Sequence, residues 1–119
     1  MTLYSCILFY SFLNGVDPQI TKAVIEVESN GNPMAVSRDG KDQGLMQIRK
    51  MYVSESKLQL LNPCTNIKRG TALLAEAMKK CKHQADNTWL TCFNAGIAGG
   101  RKIKHPKKFP YYLKVLAKL

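Results

Sequence analysis

Hydrophobic positions recur at intervals of three and four residues along most of the chain, whereas the strict alternation of a half-buried strand is almost absent. The first apolar run covers residues 3–13 and is followed by an Asn-Gly turn. Asp17 is a typical N-cap, and the proline after it fits the first position of a second helix, which we predict to run through about Ser29. The chain is therefore expected to begin with two helices.

The same start signal, an Asn-Pro pair, stands at Asn62 and opens the longest periodic run, which continues to Cys81. Further short helices are predicted to start at three places: Ser54, Asn87 and Pro110. The second of these is expected to stop at Gly96, because glycine favours helix ends. The pattern as a whole predicts an all-α fold of short helices.

Residues 3–13 are apolar enough to suggest a signal peptide or a membrane anchor as the alternative to a core helix. A signal peptide needs a basic segment before the apolar one and small residues at a cleavage site, and both are missing. Eleven residues are also too few to span a bilayer. We therefore predict that this run is the first helix of the domain core and that the chain has no membrane span.

The chain has 119 residues, of which 45% are hydrophobic and 22% charged. This length fits one domain, residues 1–119, that buries about two-thirds of its unfolded surface. The formal net charge is +10, and no acidic residue follows Asp86. Five basic residues cluster near the C-terminus: Arg101, Lys102, Lys104, Lys107 and Lys108. Such a surface attracts nucleic acid, acidic lipid or an anionic cell wall, or it simply keeps a small protein soluble.

Four cysteines are spread along the chain: Cys6, Cys64, Cys81 and Cys92. No C-x-x-C pair is present and the only histidines are His83 and His105, so no metal site is predicted. The even count favours disulfides, for which four cysteines allow three connectivities, and four buried thiols in a cytosolic protein are the alternative. Oxidised pairs would imply work outside the cytoplasm.

A glutamate at the end of the second helix is the first candidate for chemistry. Glu28 lies four residues after the apolar Val24, so its carboxyl falls at the edge of the apolar stripe of this helix. A carboxyl half sunk in apolar surroundings has a raised pKa, as a general acid near neutral pH requires. The alternative is an ordinary helix-end glutamate paired with a Lys or Arg.

Four short motifs follow one another along the chain. They are Glu28-Ser29, then Ala35-Val36-Ser37 after an Asn-Pro loop, then Gly44-Leu45-Met46-Gln47-Ile48, and finally Phe93-Asn94-Ala95-Gly96. In this order they resemble the SLT-type lytic transglycosylases of the lysozyme-like superfamily. The resemblance implies a single lysozyme-like domain that needs no cofactor. It also implies cleavage of peptidoglycan glycan strands between N-acetylmuramic acid and N-acetylglucosamine, which leaves a 1,6-anhydro end.

The resemblance gives each matched residue a role. Glu28 is the sole acid and base: it protonates the glycosidic oxygen and then takes the proton of the 6-hydroxyl on the same muramic acid, so no second carboxylate is needed. Ser37 orients the N-acetyl group, Gln47 hydrogen-bonds the sugar, and Asn94 aims its amide into the cleft. Met46 is either part of the groove wall or part of the core.

One departure from the family pattern concerns a missing hydroxyl. The chain has Phe93 where most members have tyrosine, so the hydroxyl expected near the catalytic glutamate or the N-acetyl group is absent there. Tyr112 resembles the family's late tyrosine on the last helix, and Tyr111 is the alternative if the alignment shifts by one residue. Buried aromatic packing is the other possible role for either ring.

A second departure is the presence of Asp39 and Asp42 between the Ser37 and Gln47 positions. Either could be the base of an inverting hydrolase, as in goose-type lysozymes, if it held a water roughly 6.5 to 9.5 Å from Glu28. An Asp just before the Gly-Leu-Met-Gln-Ile motif also occurs in secretion-associated transglycosylases. A loop-stabilising role is therefore preferred, and hydrolysis is the alternative function.

The Pro-Cys-Thr-Asn-Ile segment at residues 63–67 indicates which members of the family the chain resembles most. It is similar to small transglycosylases associated with type III secretion and pilus machinery, which implies that Cys6 pairs with Cys64 and Cys81 with Cys92. The resemblance also implies a monomer that is periplasmic or exported to the wall, or a phage protein that acts on the host wall. A secretion or pilus apparatus is a candidate partner.

Two other classes of protein compete with this interpretation. A nucleic-acid binder would use the basic C-terminal end, with Tyr111, Tyr112 and Trp89 as stacking platforms. It leaves Glu28 and the motifs unexplained, so we predict no nucleic-acid partner. A wall-binding protein would keep the groove without catalysis, and Phe93 is its only hint.

Overall fold

The computed structural model describes residues 1–81 and 85–119. Its described α-helices are α1 (Leu3–Leu13), α2 (Pro18–Ser29), α3 (Lys57–Leu60), α4 (Pro63–Lys80), α5 (Leu90–Arg101) and α6 (Pro110–Leu116). Two short strands, β1 (Asp42–Gln43) and β2 (Ile48–Arg49), pair antiparallel with Gln43 opposite Ile48. The all-α prediction is confirmed, and this small hairpin is an addition that the hydrophobic pattern did not predict.

Local capping explains where α2 and α4 begin. The Asp17 carboxylate accepts a hydrogen bond from the Gln19 backbone N–H at 2.9 Å, and the Asn62 side chain accepts one from the Thr65 N–H at 3.1 Å. Each cap satisfies a donor that the first helical turn leaves unpaired, and the proline that follows each cap has no N–H to satisfy. Both predicted helix starts are confirmed.

The predicted start of α3 is corrected by two residues. Ser56 caps this helix rather than Ser54, because the side chains of Ser56 and Gln59 each bond the other residue's backbone N–H. This reciprocal arrangement satisfies two helix-end donors at once.

The predicted bounds of α5 are also corrected. Asn87 has a φ of 63°, a left-handed conformation that differs from the extended one of an N-cap, and the helix begins at Leu90. Gly96 interrupts the helix with a φ of 79°, as a stop signal should, yet the helix resumes and runs to Arg101.

The α4 helix is the centre of the packing, since α1, α3 and α5 all contact it. Its buried residues recur at helical spacing: Asn66, Ile67, Gly70, Thr71, Leu74 and Ala77. The α2 helix packs between α1 and α6, and α6 also contacts α5. The last helix therefore lies beside the end of α2, where Glu28 is located.

Two disulfides tie helices to α4. Cys6 of α1 bonds Cys64 in the first turn of α4, with 5.5 Å between their Cα atoms. Cys81, just after α4, bonds Cys92 of α5, with a Cα separation of 6.5 Å. The pairing implied by the family resemblance is confirmed, and the alternative of four thiols is not.

The α1 helix has two different faces. Cys6, Ile7 and Ser11 are buried, whereas Phe9 and Phe12 on the other side are exposed. The apolar run is the first helix of the domain, as predicted, but only one of its sides belongs to the core. In the described part of the chain, no helix combines the length and hydrophobicity needed to cross a bilayer.

Removing either disulfide should destabilise the protein, and the loss should be larger for the first pair. The Cys6–Cys64 bond closes a separation of 58 residues and the Cys81–Cys92 bond one of 11. From loop-closure entropy, the free energy of unfolding should fall by about 4 kcal/mol without the first disulfide and by about 3 kcal/mol without the second.

Guanidinium unfolding of the Cys6→Ala/Cys64→Ala and Cys81→Ala/Cys92→Ala proteins measures both losses against the wild type. A larger loss in the second double variant would contradict the entropic ordering.

Candidate active site

A cleft of about 780 Å³ opens between the end of α2, the hairpin, α4 and the middle of α5. Its polar lining residues are Glu28, Asp42, Gln47, Arg49, Glu76 and Asn94, and its larger apolar ones are Ile48, Tyr52, Leu73, Phe93 and Ile97. Sites for small ligands typically enclose about 300 to 1,000 Å³. The cleft therefore has the size and the mixed lining of a ligand site.

Glu28 is held at the cleft by the packing of α2. Val24, one helical turn earlier, is fully buried, and Glu28 lies half-buried on the same stripe. The helix ends one residue later, where Asn30 adopts a left-handed φ of 52°. The carboxyl therefore sits at the boundary between the core and the open cleft, as the periodicity predicts.

The surroundings of Glu28 raise its pKa from 4.5 to about 7. Burial is the largest cause, because it removes water from the charged form, and the negative charge of Asp42 acts in the same direction. A hydrogen bond from Tyr111 partly opposes both by stabilising the carboxylate. Among the described residues no Lys or Arg forms an ion pair with Glu28, so the alternative of a paired surface glutamate is not supported.

Tyr111, rather than Tyr112, contacts the candidate acid. The Tyr111 hydroxyl donates to Oε2 of Glu28 at 3.0 Å, whereas the Tyr112 hydroxyl donates to the backbone carbonyl of Asp86 at 2.6 Å. Neighbouring positions on a helix point about 100° apart, so only one of the two rings can face α2. The sequence-based choice of Tyr112 is thus corrected to its alternative.

Tyr111 is a permanent hydrogen-bond donor at this position. Burial first, and the charge of Glu28 second, raise the pKa of Tyr111 well above its usual value. The Phe93 ring lies beside it, with ring centroids 6.5 Å apart and planes tilted by 33°. Tyr111 therefore supplies a hydroxyl next to Glu28 in a region where Phe93 has none.

Asn94 and Phe93 both line the cleft from α5. Asn94 is exposed and Phe93 is half-buried. Two residues later the backbone leaves the helical conformation at Gly96. Its φ of 79° lies in the left-handed region that favours glycine. This break leaves the Asn94 side chain on the open rim of the cleft, where a ligand can reach it.

Gln47 reaches the cleft from the tight turn of the hairpin. Its φ is 52°, and its amide nitrogen donates to the carbonyl of Ala35 at 3.1 Å and to that of Gly44 at 2.9 Å. These two bonds fix the side chain in a single orientation along the cleft wall. The expected position of Gln47 at the site agrees with this geometry.

Met46 belongs to the core rather than to the groove wall. It is fully buried and absent from the lining of the cleft. Its side chain packs on Gly70 of α4, where an added Cβ would collide with the thioether. Of the two positions open to Met46 from sequence, the structure shows core packing.

Asn66 is the residue that sequence reasoning missed and on which the cleft wall depends. Its side chain is fully buried. It accepts from the Met46 N–H at 2.8 Å and donates to the carbonyls of Gln43 and Leu60, both at 2.8 Å. Its place in the Pro-Cys-Thr-Asn-Ile segment was the one available signal. The bonds to Met46 and Gln43 fasten the hairpin turn to α4, and the bond to Leu60 fastens the end of α3.

Ser37 lies in the loop before the hairpin and does not line the cleft. Its hydroxyl donates to Asp39 at 2.8 Å and accepts from the Asp42 N–H at 2.9 Å. The Asp39 carboxylate also accepts from the Lys41 N–H at 3.0 Å. Ser37 and Asp39 thus close a tight loop on themselves, outside the cleft position that the family resemblance implies for Ser37.

Asp42 lines the cleft as part of an ion pair. The Arg49 guanidinium donates to both its carboxylate oxygens, at 2.8 Å from Nε and 3.1 Å from the terminal nitrogen. The two residues are opposite each other on β1 and β2. This bidentate pair closes the hairpin and holds the Asp42 oxygens in place.

Sequence reasoning also missed three cleft residues: Arg49, Tyr52 and Glu76. Arg49 directly follows the Gly44-to-Ile48 motif, and that adjacency could have pointed to it. Tyr52 and Glu76 reach the cleft only because the hairpin folds against α4, which no local pattern encodes.

The described residues contain no group of three or more His, Cys, Asp or Glu side chains that could hold a metal ion. His83, one of the two histidines considered for a metal, lies outside the described residues.

Comparisons with known proteins match nearly the whole chain to one family. The model described as the transglycosylase SLT domain matches residues 5–114. The chain is 35% identical over 102 residues to a peptidoglycan-binding-like protein of Escherichia coli O157:H7, covering 70% of this chain and 59% of that protein. A putative peptidoglycan-binding-like protein of Escherichia coli strain K12 is 30% identical over 117 residues, with coverages of 82% and 72%.

A third relative, endo-type membrane-bound lytic murein transglycosylase A of Klebsiella pneumoniae, is 41% identical over 73 residues. The match covers 51% of this chain and 36% of that protein. The chain belongs to the transglycosylase SLT domain family, and the resemblance of its motifs is thereby confirmed. Its helical architecture is that of the lysozyme-like SLT domain. The chain spans 59% of the first relative's length.

Replacing Asn66 by Ala should destabilise the protein by about 3 kcal/mol, because three buried partners lose about 1 kcal/mol each. The matched control is Asn62→Ala, which removes an exposed helix cap and should cost about 1 kcal/mol. Urea unfolding measures both losses. Equal losses would show that the buried bonds of Asn66 do not fasten the hairpin.

Replacing Glu28 by Gln should stabilise the protein at about pH 8 and change little at about pH 4. The carboxyl titrates near 4.5 when unfolded and at about 7 when folded. The wild type therefore loses stability as the pH rises through this window, whereas Gln never ionises.

The control variant, Glu55→Gln, should show the opposite dependence of stability on pH. Arg69 lowers the pKa of Glu55, so Glu55→Gln should cost more stability at about pH 8 than at about pH 4. Unfolding midpoints of the three proteins at both pH values test this. A Glu28→Gln effect that is independent of pH would contradict the raised pKa.

Proposed function

We propose that this domain is a peptidoglycan lytic transglycosylase with Glu28 as its single acid and base. It cleaves the β-1,4 bond between N-acetylmuramic acid and N-acetylglucosamine and closes a 1,6-anhydro ring on the muramic acid. The observation that carries the proposal is the half-buried Glu28 carboxyl, which lies on the cleft with a pKa of about 7. Membership of the SLT domain family supports it.

A pKa of about 7 suits a group that must first give and then take a proton. In the first step the protonated Glu28 donates to the glycosidic oxygen, and the bond from that oxygen to C1 of the muramic acid breaks. In the second step the 6-hydroxyl of the same sugar bonds C1 and returns its proton to Glu28. Water is not consumed, and the enzyme ends in its starting state.

Tyr111 acts as a positioning residue in this scheme. Its hydrogen bond to Oε2 of Glu28 fixes the carboxyl and leaves the other oxygen, Oε1, for the sugar. The same bond stabilises the carboxylate that exists between the two steps. This hydroxyl replaces the one that Phe93 lacks.

The polar rim of the cleft suits a glycan strand. Gln47 offers its amide oxygen, and Asn94 its amide group, to the hydroxyls and N-acetyl groups of the sugars. The Phe93 and Tyr52 rings offer apolar surfaces for the sugar faces. Ser37 contributes by shaping the loop before the hairpin rather than by direct contact.

Hydrolysis is the second candidate function, and one observation favours it: Asp42 is a second carboxylate on the cleft. Its two bonds to Arg49 work against this role, because they engage both of the carboxylate oxygens that would have to hold the attacking water. Transglycosylation is therefore the preferred reaction.

The proposed place of action is the cell wall outside the cytoplasm. Two disulfides form where the compartment is oxidising. The excess of positive charge suits the carboxylates of peptidoglycan stem peptides. A secretion or pilus apparatus as partner, and a phage origin, rest on the sequence resemblance alone and stay predictions.

Mass spectrometry of the muropeptides released from purified peptidoglycan tests the reaction. Wild-type protein should release 1,6-anhydro products, which lack one water relative to reducing-end muropeptides. Glu28→Gln should lower their rate of formation by at least about 100-fold, whereas Glu76→Gln, which changes another cleft carboxyl, should leave the rate within about threefold.

Three outcomes would overturn the proposal. Reducing ends that carry the water and disappear in Asp42→Asn would identify a hydrolase. Undiminished cleavage by Glu28→Gln would remove the proposed acid. Glycan binding by the wild type without any cleavage would identify a wall-binding module.

A further inference from the structure

The outward side of α1 is an apolar surface that the fold leaves uncovered. Tyr4, Phe9, Phe12 and Leu13 are 67%, 51%, 69% and 67% exposed. We call these four side chains the α1 outer face. Residues 1–16 include no charged side chain, so nothing on this helix offsets its hydrophobicity. Exposed aromatic clusters of this kind mark interaction surfaces in soluble domains.

The α1 outer face and the cleft lie on opposite sides of the molecule. On α4, Cys64 and Thr71 face α1: Cys64 through the disulfide, and Thr71 through a 3.0 Å hydrogen bond from the Asn14 side chain. Leu73, which lines the cleft, is two positions beyond Thr71, about 200° further round the helix. Whatever covers α1 therefore leaves the cleft open.

The charge of the protein favours an anionic surface as the occupant. The net charge is +10, and two exposed lysines lie on the helices that contact α1. Lys22 follows Thr21, whose hydroxyl contacts Ser11 of α1 at 2.8 Å, and Lys68 is one turn from Cys64 on the side of α4 that faces α1. Aromatic side chains with nearby lysines suit the headgroup region of an acidic bilayer.

A second copy of the chain fits this face less well. Two molecules that each carry a net charge of +10 repel one another when brought together. The four side chains also offer only on the order of 500 Å², which is less than the roughly 800 Å² per partner that a stable dimer buries.

We propose that the α1 outer face binds the surface of an anionic lipid bilayer, with the helix lying in the plane of the interface and the cleft directed away from the membrane. The helix is 11 residues long and lies on the surface without crossing it. In this orientation the cleft faces the cell wall. The orientation, though not the binding to lipid, rests on the proposed function.

Vesicle flotation tests the binding. The full chain is mixed with vesicles made of equal parts of phosphatidylglycerol and phosphatidylcholine, or of phosphatidylcholine alone. Binding to the anionic vesicles should be at least about tenfold tighter. The Phe9→Gln/Phe12→Gln variant should lose at least about tenfold of this affinity, because two of the three aromatic groups of the α1 outer face are gone.

The matched control is Leu58→Gln/Leu113→Gln, which removes two exposed apolar residues away from α1 and should bind within about twofold of wild type. Circular dichroism and thermal unfolding check that both variants fold. Cleavage of solubilised glycan by the Phe9→Gln/Phe12→Gln variant should equal that of the wild type, so a failure of lipid binding is distinguishable from a failure of catalysis.

Insertion can be seen directly with a tryptophan. The single native Trp89 is buried, so Phe12→Trp adds an exposed reporter whose emission should shift to the blue and be quenched by brominated acyl chains. Leu58→Trp should show neither change.

Two results would overturn the proposal. Equal affinity of the wild type and the Phe9→Gln/Phe12→Gln variant would show adsorption through lysines alone. A dimer in the absence of lipid that the same variant abolishes would assign the face to a second copy.

Discussion

The buried side chain of Asn66 holds the architecture of the cleft together. Two of its hydrogen bonds, from the Met46 N–H and to the Gln43 carbonyl, fasten the hairpin to the central helix α4, and the third, to the Leu60 carbonyl, fastens the end of α3. The position of Gln47 and the pairing of Asp42 with Arg49 both follow from that attachment. A sheet of two strands with two residues each is weak by itself, and the buried amide of Asn66 helps to hold this wall of the cleft in place.

The carboxyls of Glu28 and Asp42 line the same cleft in different surroundings. Burial keeps Glu28 near the point at which it can hold or release a proton. Arg49 donates to both oxygens of Asp42 and fixes that carboxyl in the hairpin. The two groups therefore take different roles although they line the same cleft, and the charge of Asp42 itself contributes to the raised pKa of Glu28. The hydrogen bond from Tyr111 fixes the orientation of the Glu28 carboxyl.

The central helix α4 separates two surfaces of different chemistry. One side supports the cleft through Leu73 and Ala77, and the other side holds α1 through Cys64 and Thr71. The disulfide to Cys64 keeps α1 in place although half of that helix has no apolar surface to pack against. The Cys6–Cys64 disulfide therefore holds one side of α1 against the core and leaves the α1 outer face exposed.

The sequence alone determined the features that depend on neighbours along the chain. Caps such as Asp17 and Asn62 act within one helical turn, so the starts of α2 and α4 could be read directly. Whether Tyr111 or Tyr112 reaches Glu28 was decided only by the tertiary structure, since both rings are buried and only the docking of α6 against α2 directs the Tyr111 hydroxyl at Glu28. The burial of Met46 was also decided by the tertiary structure. Met46 packs on Gly70 of α4, and packing between residues so far apart in sequence leaves no local signal.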